Sequence, residues 1–250
     1  MGQFYQNVFY QNFFSLPSTI IKTIRRNCLG QKFEPEVTAL ATLIGPGFYC
    51  FDVGGAYGRY AFPLSRMVGP RGRIYSFEPG SYSYKVSYCA KVFFDLKNVT
   101  LIKKAVSNKA GSIQLCLPPK RSGKLGISLA YIYPERKEDS YCETVEMLTL
   151  DDFAGRESLL RLDLIKCDTE GSELMVFQGA SQLIERFKPI VLTEIDPSNL
   201  ERYRQKPSDI VDFFHQRDYR LMVWDGAAFS SAADADKAGN YFFIPGHIKV

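Results

Sequence analysis

Five acidic residues, Asp52, Glu78, Asp168, Glu170 and Glu194, stand at or just beyond the ends of short apolar runs. Asp52 opens the stretch Asp52-Val53-Gly54-Gly55-Ala56-Tyr57-Gly58, directly after the apolar run 48–53 and before a helical pattern. Glycines at such a point let the backbone turn sharply and lie close against a ligand. Spacing then decides which ligand. A dinucleotide fingerprint needs glycine at i, i+2 and i+5, and from Gly54 those places hold Gly54, Ala56 and Arg59. A phosphate loop ending in Gly-Lys-Ser/Thr does not fit either. An acid followed by Gly-x-x-x-Gly suits a cationic or amine-bearing ligand, because Asp52 would repel a pyrophosphate on the same turn. Glu78 closes the next strand, where a carboxylate accepts two hydrogen bonds from a ribose diol.

The remaining acids lie further along. Asp168 ends the buried run 162–167, and Glu194 falls at the end of the run 190–195. Sequential strands are usually neighbours, so these two are expected to converge. Asp168 has a competing duty as a cap for the helix near Ser172. Glu170 and Glu173 lie at the first helical turn, where negative charge is favoured in any case, and Glu173 reads as structural. Asp196 is a weaker candidate behind Glu194. With two histidines, His215 and His247, and no Cys-x-x-Cys pair, no zinc site is expected, and no diagnostic spacing marks a divalent metal between Asp168 and Glu194. His215 reads as a surface or packing residue. The six cysteines (Cys28, Cys50, Cys89, Cys116, Cys142 and Cys167) read as reduced thiols, several within apolar runs.

Alternating runs position these residues. Strands are expected at 48–53, 73–77, 99–106, 162–167 and 190–195, with helices at 60–68, 81–94, 172–187 (interrupted at Gly179-Ala180) and 207–216. Strand-like runs at 111–117 and 144–148 break the alternation. Between them, residues 118–142 are rich in Pro, Gly, Ser and charge and read as a long excursion. Its Lys120, Arg121, Lys124, Arg136 and Lys137 suit a lid over an anionic acceptor as well as a solvated loop. Strands 221–224 and 241–244 end the chain as a pair. The expected fold class is α/β, an open and mostly parallel twisted sheet with helices on both faces and a terminal antiparallel strand pair.

The Asp52–Gly58 turn, Phe77-Glu78-Pro79 and the run Ile165-Lys166-Cys167-Asp168-Thr169-Glu170-Gly171-Ser172-Glu173 together resemble the FkbM-type methyltransferase family. Ala105-Val106-Ser107, Ser128-Leu129, Leu148-Thr149-Leu150-Asp151 and the stretch 189–194 add to the likeness, which spans residues 33–246. The K-x-D-x-E-G-x-E run is its most specific part. One departure is Ala56, where the family usually has Asn. The resemblance implies a class I Rossmann-like fold, S-adenosylmethionine as cofactor, and methyl transfer to a hydroxyl of a sugar, glycolipid or small natural product. It places Asp52, Gly54 and Gly58 at the amino-acid end of the cofactor, Glu78 on the ribose and the backbone near Ala105 beside the adenine. An aliphatic hydroxyl barely ionises near neutral pH, so Asp168, Glu194 and Glu170 become the candidate catalytic acids or bases. Two rivals remain. An N-methyltransferase on peptide or nucleic acid favours Asn/Asp-Pro-Pro-Tyr where this chain has Asp168-Thr169-Glu170-Gly171. A catalytically silent module would only bind a partner or membrane.

Composition is that of a globular chain: 250 residues, 46% hydrophobic, 23% charged, net charge +4. That charge is too small to point to nucleic acid. Nearly all of the excess lies in residues 1–30, where Lys22, Arg25 and Arg26 meet no acid and Phe4, Tyr5, Phe9, Tyr10, Phe13 and Phe14 recur at helical spacing. Residues 1–32 therefore read as a helical extension of a methyltransferase domain at 33–250. Either it packs on the domain or on a second subunit, or it lies on a membrane surface. No signal peptide is recognised, and a cytoplasmic location, peripheral at the membrane, is expected.

Overall fold

Residues Tyr49–Val53 form β1, and every residue from Cys50 onward is buried. Strands buried on both faces belong in the middle of a parallel sheet. β1 lies there, with β2 (Arg73–Phe77) on one side and β8 (Leu164–Cys167) on the other, both parallel to it. β3 (Val99–Ile102) flanks β2, and β9 (Ile190–Ile195) runs parallel to β8. The computed structural model describes residues 18–22, 34–118, 129–133 and 141–250. The 1–32 extension and the lid's cations at 120, 121, 124, 136 and 137 therefore lie largely or wholly outside the described residues.

The terminal strands pair as expected and add one more. β12 (Gly239–Pro245) inserts antiparallel between β9 and β10 (Tyr219–Trp224), and β11 (Phe229–Ser231) closes the edge. The order across the main sheet is β11-β10-β12-β9-β8-β1-β2-β3. Alternation along β1 sends Cys50 and Phe51 into different clusters, one on each face. Helices α1 (Pro35–Leu43), α2 (Ala61–Val68) and α3 (Ser81–Phe93) cover one face. Helices α4 (Leu150–Arg156), α5 (Glu173–Gln178), α6 (Ser181–Phe187) and α8 (Pro207–His215) cover the other, and the short α7 (Pro197–Leu200) follows β9. α1 was not foreseen; it starts with Pro at its first position and buries Val37, Ala39 and Leu40. The break between α5 and α6 has a packing cause: a Cβ on Gly179 would collide with the Ser107 carbonyl.

The strands that break the alternation build a second sheet. β4 (Ala105–Val106), β5 (Gly111–Leu117), β6 (Tyr131–Tyr133) and β7 (Tyr141–Leu148) pair in the order β4-β7-β5-β6. The excursion is thus not wholly irregular, because β6 and the start of β7 lie in it. Ala105, Leu115, Leu117, Ile132, Val145 and Met147 give this sheet its own apolar cluster. One expectation is overturned here. Cys116 and Cys142 are not reduced thiols but a disulfide, because β5 and β7 place them opposite each other with Cα atoms 4.2 Å apart. Cys50, Cys89 and Cys167 are free.

Candidate active site

A cleft opens above the carboxyl ends of β1, β2 and β8, where ligands bind in open α/β sheets. Gly54, Ala56, Glu78, Ala105, Asp168 and Glu170 line it, all but Ala56 from the predicted set. It encloses about 690 Å³, solvent at its mouth included. The second sheet supplies its far wall through Leu115, Ala130 and Ile132.

The glycine turn is held from below. The N–H groups of Gly54 and Gly55 both donate to the Phe77 carbonyl at 3.0 Å, tying the turn to the end of β2. Gly54 has φ +74°, and a Cβ there would collide with the Asp168 carbonyl. Gly58 also has φ +74°, with the Phe62 ring in the space a side chain would need. Gly54 thus lines the cleft and keeps β1 close to the end of β8, while Gly58 serves the turn's packing. Ala56 has φ 42°, a left-handed conformation that Asn tolerates better than Ala.

Asp52 is placed differently from the expectation. Its side chain has no exposure and is absent from the cleft lining. Its Oδ2 accepts from Ser76 Oγ at 2.9 Å, and Lys166 stands opposite it in the β1–β8 register. Alternation along β1 explains this, since Val53 takes the cleft side and Asp52 must take the other. Asp52 thus meets Ser76 and stands outside the cleft lining. Burial raises its pKa, against the pull of Lys166 and Ser76.

Glu78 does face the cleft. Its Oε1 accepts from the Gly80 N–H at 2.7 Å, and Ala56 donates to it from the turn. Burial pushes the carboxyl up to about 8 despite those donors. Such a group, carrying spare acceptor capacity against the glycine turn, fits a vicinal diol. Lys104, Ala105 and Val106 line the adjoining stretch of the cleft.

Asp168, Glu170 and Glu194 converge, each offering a carboxylate oxygen within 4.8 Å of the others. The convergence of Asp168 and Glu194 follows from the β8–β9 register, in which Cys167 pairs with Thr193. Lys166 Nζ lies 3.0 Å from Asp168 Oδ2, and its side chain is almost wholly buried. Burial works against charge on Asp168, but the Lys166 ammonium outweighs it and holds the carboxyl below its usual range. Burial and then the Asp168 charge drive Glu194 the other way, so it keeps a proton and shares a hydrogen bond with Asp168. Burial, with Asp168 and Glu173 nearby, lifts Glu170 to about 7. Asn199 Nδ2 donates to Glu170 Oε2 at 3.0 Å, and the residue has φ 57°. The trio is open to a proton or to a divalent cation, which takes carboxylate oxygens readily; Lys166 already supplies positive charge to one member.

The other acids are structural. Glu173 is buried, and its Oε1 accepts from the N–H groups of Thr169 and Gly171, fixing the turn after β8. Asp196 caps α7 through the Ser198 N–H. His215 is exposed in the last turn of α8. Three contributors were not singled out from the sequence: Lys166 as a partner, Ser76 beneath the turn, and Arg59 on the cleft wall. Lys166 was visible as a lysine inside an apolar run, a position that demands a buried partner.

The methyltransferase FkbM domain matches residues 52–221, more than half of the chain and the whole stretch from the glycine turn to β10. The chain belongs to that family. As an FkbM-domain methyltransferase it has S-adenosylmethionine as its implied methyl donor, and the cleft, with the acceptor oxygens of Glu78 beside the close-lying glycine turn, fits that group. Among solved structures, it is similar to the methyltransferase FkbM from Methylobacillus flagellatus KT (15% identity, TM-score 0.48, 84% of this chain and 50% of that one). The FkbM-domain chain thus spans half the length of that protein. It is also similar to a SAM-dependent methyltransferase from Aquifex aeolicus (17%, 0.47, 91% and 98%). A SAM-dependent O-methyltransferase from Thermotoga maritima gives 12%, 0.49, 93% and 72%. No curated protein matches the chain.

Proposed function

We propose that this chain is an S-adenosylmethionine-dependent O-methyltransferase acting on a hydroxyl of a glycan, glycolipid or small natural product. The observation that carries this reading is the Asp168–Glu194 pair, set at the cleft edge and backed by Lys166. When bound, S-adenosylmethionine supplies a methyl carbon on a sulfonium, an electrophile with a good leaving group. The chain's task is to place the acceptor oxygen in line and to take its proton. Asp168 and Glu194 act as one unit that titrates together. This pair would take the hydroxyl proton as the acceptor oxygen is methylated. Glu170, gripped by Asn199, borders the acceptor and sets its position. Three carboxyl groups at that end of the cleft disfavour a phosphodiester acceptor, which speaks against nucleic acid.

Methyl-labelled S-adenosylmethionine offered to total cell glycans, followed by mass spectrometry of the labelled species, tests the reading. Incorporation into a hydroxyl is expected, and Asp168→Asn should reduce it by about 100-fold while still binding S-adenosylhomocysteine. Full turnover by a folded Asp168→Asn variant would remove the pair from the chemistry.

A further inference from the structure

Helix α3 has its side chains the wrong way round for a surface helix. Its buried positions are Ser83, Val86, Ser87 and Ala90, two of them serines. Its outer side shows Tyr88, Val92 and Phe93 at 52%, 60% and 70% exposure. Tyr88 and Val92, one turn apart, lie opposite the buried Val86 and Ala90, and Phe93 extends the patch at the helix end. The serines have a reason to face inward: Ser87 Oγ donates to the Ala56 carbonyl at 2.8 Å, bracing the glycine turn. Tyr88 stacks on Tyr84 and Phe93 meets the edge of Phe94, yet both stay more than half exposed. An exposed apolar cluster of this kind marks a contact surface.

Charge decides what covers it. Lys85 and Lys91 flank the patch, neither forms an ion pair among the described residues, and α3 carries no acid. The short helical stretch 18–22 is tied to the start of α3 by Tyr82 Oη donating to Thr19 Oγ1 at 3.0 Å. Ile21 and Lys22 in this stretch are exposed. Beyond it runs the aromatic, acid-free sequence of residues 1–17. A symmetric pairing of two α3 faces would set lysine against lysine, since the nearest acid, Asp95 beyond the helix, is already paired with Lys97, and residues 1–30 are cationic too. The occupant must therefore be apolar and anionic together.

We infer that the outer face of α3, with Ile21 and Lys22 beside it, docks this protein on an anionic lipid surface. Tyr88, Val92 and Phe93 enter the interfacial layer, while Lys22, Lys85 and Lys91 meet the head groups. The face lies on the α1–α3 side of the sheet and includes none of the cleft residues, so binding leaves the cleft open.

Co-sedimentation of the full chain with phosphatidylcholine vesicles, with and without phosphatidylserine, tests this. Binding is expected only with phosphatidylserine. Lys85→Ala/Lys91→Ala should weaken it by about 25-fold, given a loss of ~fivefold per cation near an anionic surface. Val92→Ser/Phe93→Ser should weaken it at least as much, with thermal stability and S-adenosylhomocysteine binding unchanged in both variants. Absence of binding to either vesicle overturns the inference. So does unchanged binding by both variants, which would assign any attachment to residues 1–17. Light scattering that finds a dimer dissolved by Val92→Ser/Phe93→Ser would make the face a self-association surface instead.

Discussion

Lys166 and Asp52 stand opposite each other on neighbouring parallel strands, yet the lysine's ammonium reaches forward to Asp168, 3.0 Å away. One buried cation thereby serves two acids, one opening the glycine turn and one in the cleft. The ring of Tyr60, 4.8 Å from Nζ, covers it on the helix side. Burial disfavours the charge, but Asp168 and Asp52 outweigh it and the lysine stays protonated.

Removing that cation should therefore harm both halves of the site. Lys166→Met leaves two acids without their partner, and such a break costs about 3–5 kcal/mol. Denaturant unfolding should show that loss. Adding Asp52→Asn should return part of it, because one of the stranded charges is then gone. If the double variant is less stable than Lys166→Met, Asp52 does not depend on the lysine.

Glu78 makes the cofactor site pH-sensitive. Its carboxyl titrates near 8 in the folded protein and near 4.5 in an open chain. The folded state alone holds the proton between those values, so the contribution of Glu78 to stability is full below about pH 4.5 and lost as pH rises through 8. A ribose diol donates to the ionised form. S-adenosylhomocysteine should accordingly bind more tightly as pH rises from 6 to ~8, with proton release. Calorimetry in buffers of different ionisation enthalpy measures that proton. Glu78→Gln should bind more weakly and without the pH trend.

Turnover should rise with pH as the Asp168–Glu194 pair gives up its shared proton, and level off near the value of about 8 that Glu194 carries. Glu194→Gln removes the titrating carboxyl, so its rate should be lower by about 10- to 100-fold and nearly flat across this range. A pH profile unchanged by Glu194→Gln would assign the proton to another group.

The Cys116–Cys142 bond closes a sequence separation of 26 residues that includes β6 and the wall of the cleft. Restricting the unfolded chain over such a loop is worth about 3 kcal/mol. Reductant, or Cys116→Ala/Cys142→Ala, should lower the melting temperature by about 6–12 °C. An equal melting temperature with and without reductant would show that the bond does not form in solution.

Much of the fold was legible because its signals are local. Alternating apolar runs gave the parallel strands and their helices, and Gly179-Ala180 broke a helix where the structure divides α5 from α6. Helix α1 was missed because its apolar residues bury against a sheet that lies later in the chain. The disulfide was missed for a related reason: composition favours reduced thiols, and only the β5–β7 register brings these two together.

The same division runs through the site. By itself, the sequence determined that Glu78 and Asp168 each follow the end of a strand in one parallel sheet, since strand ends follow from apolar runs and glycine turns. Tertiary structure alone decided the direction of each side chain and the company it keeps. One residue of strand alternation keeps Asp52 out of the cleft lining. The packing of β8 between β1 and β9 sets Lys166 against Asp168 and Asp168 against Glu194. Proton affinity in a buried cluster depends on distances of a few ångströms between residues far apart in sequence, and the folded chain sets those distances.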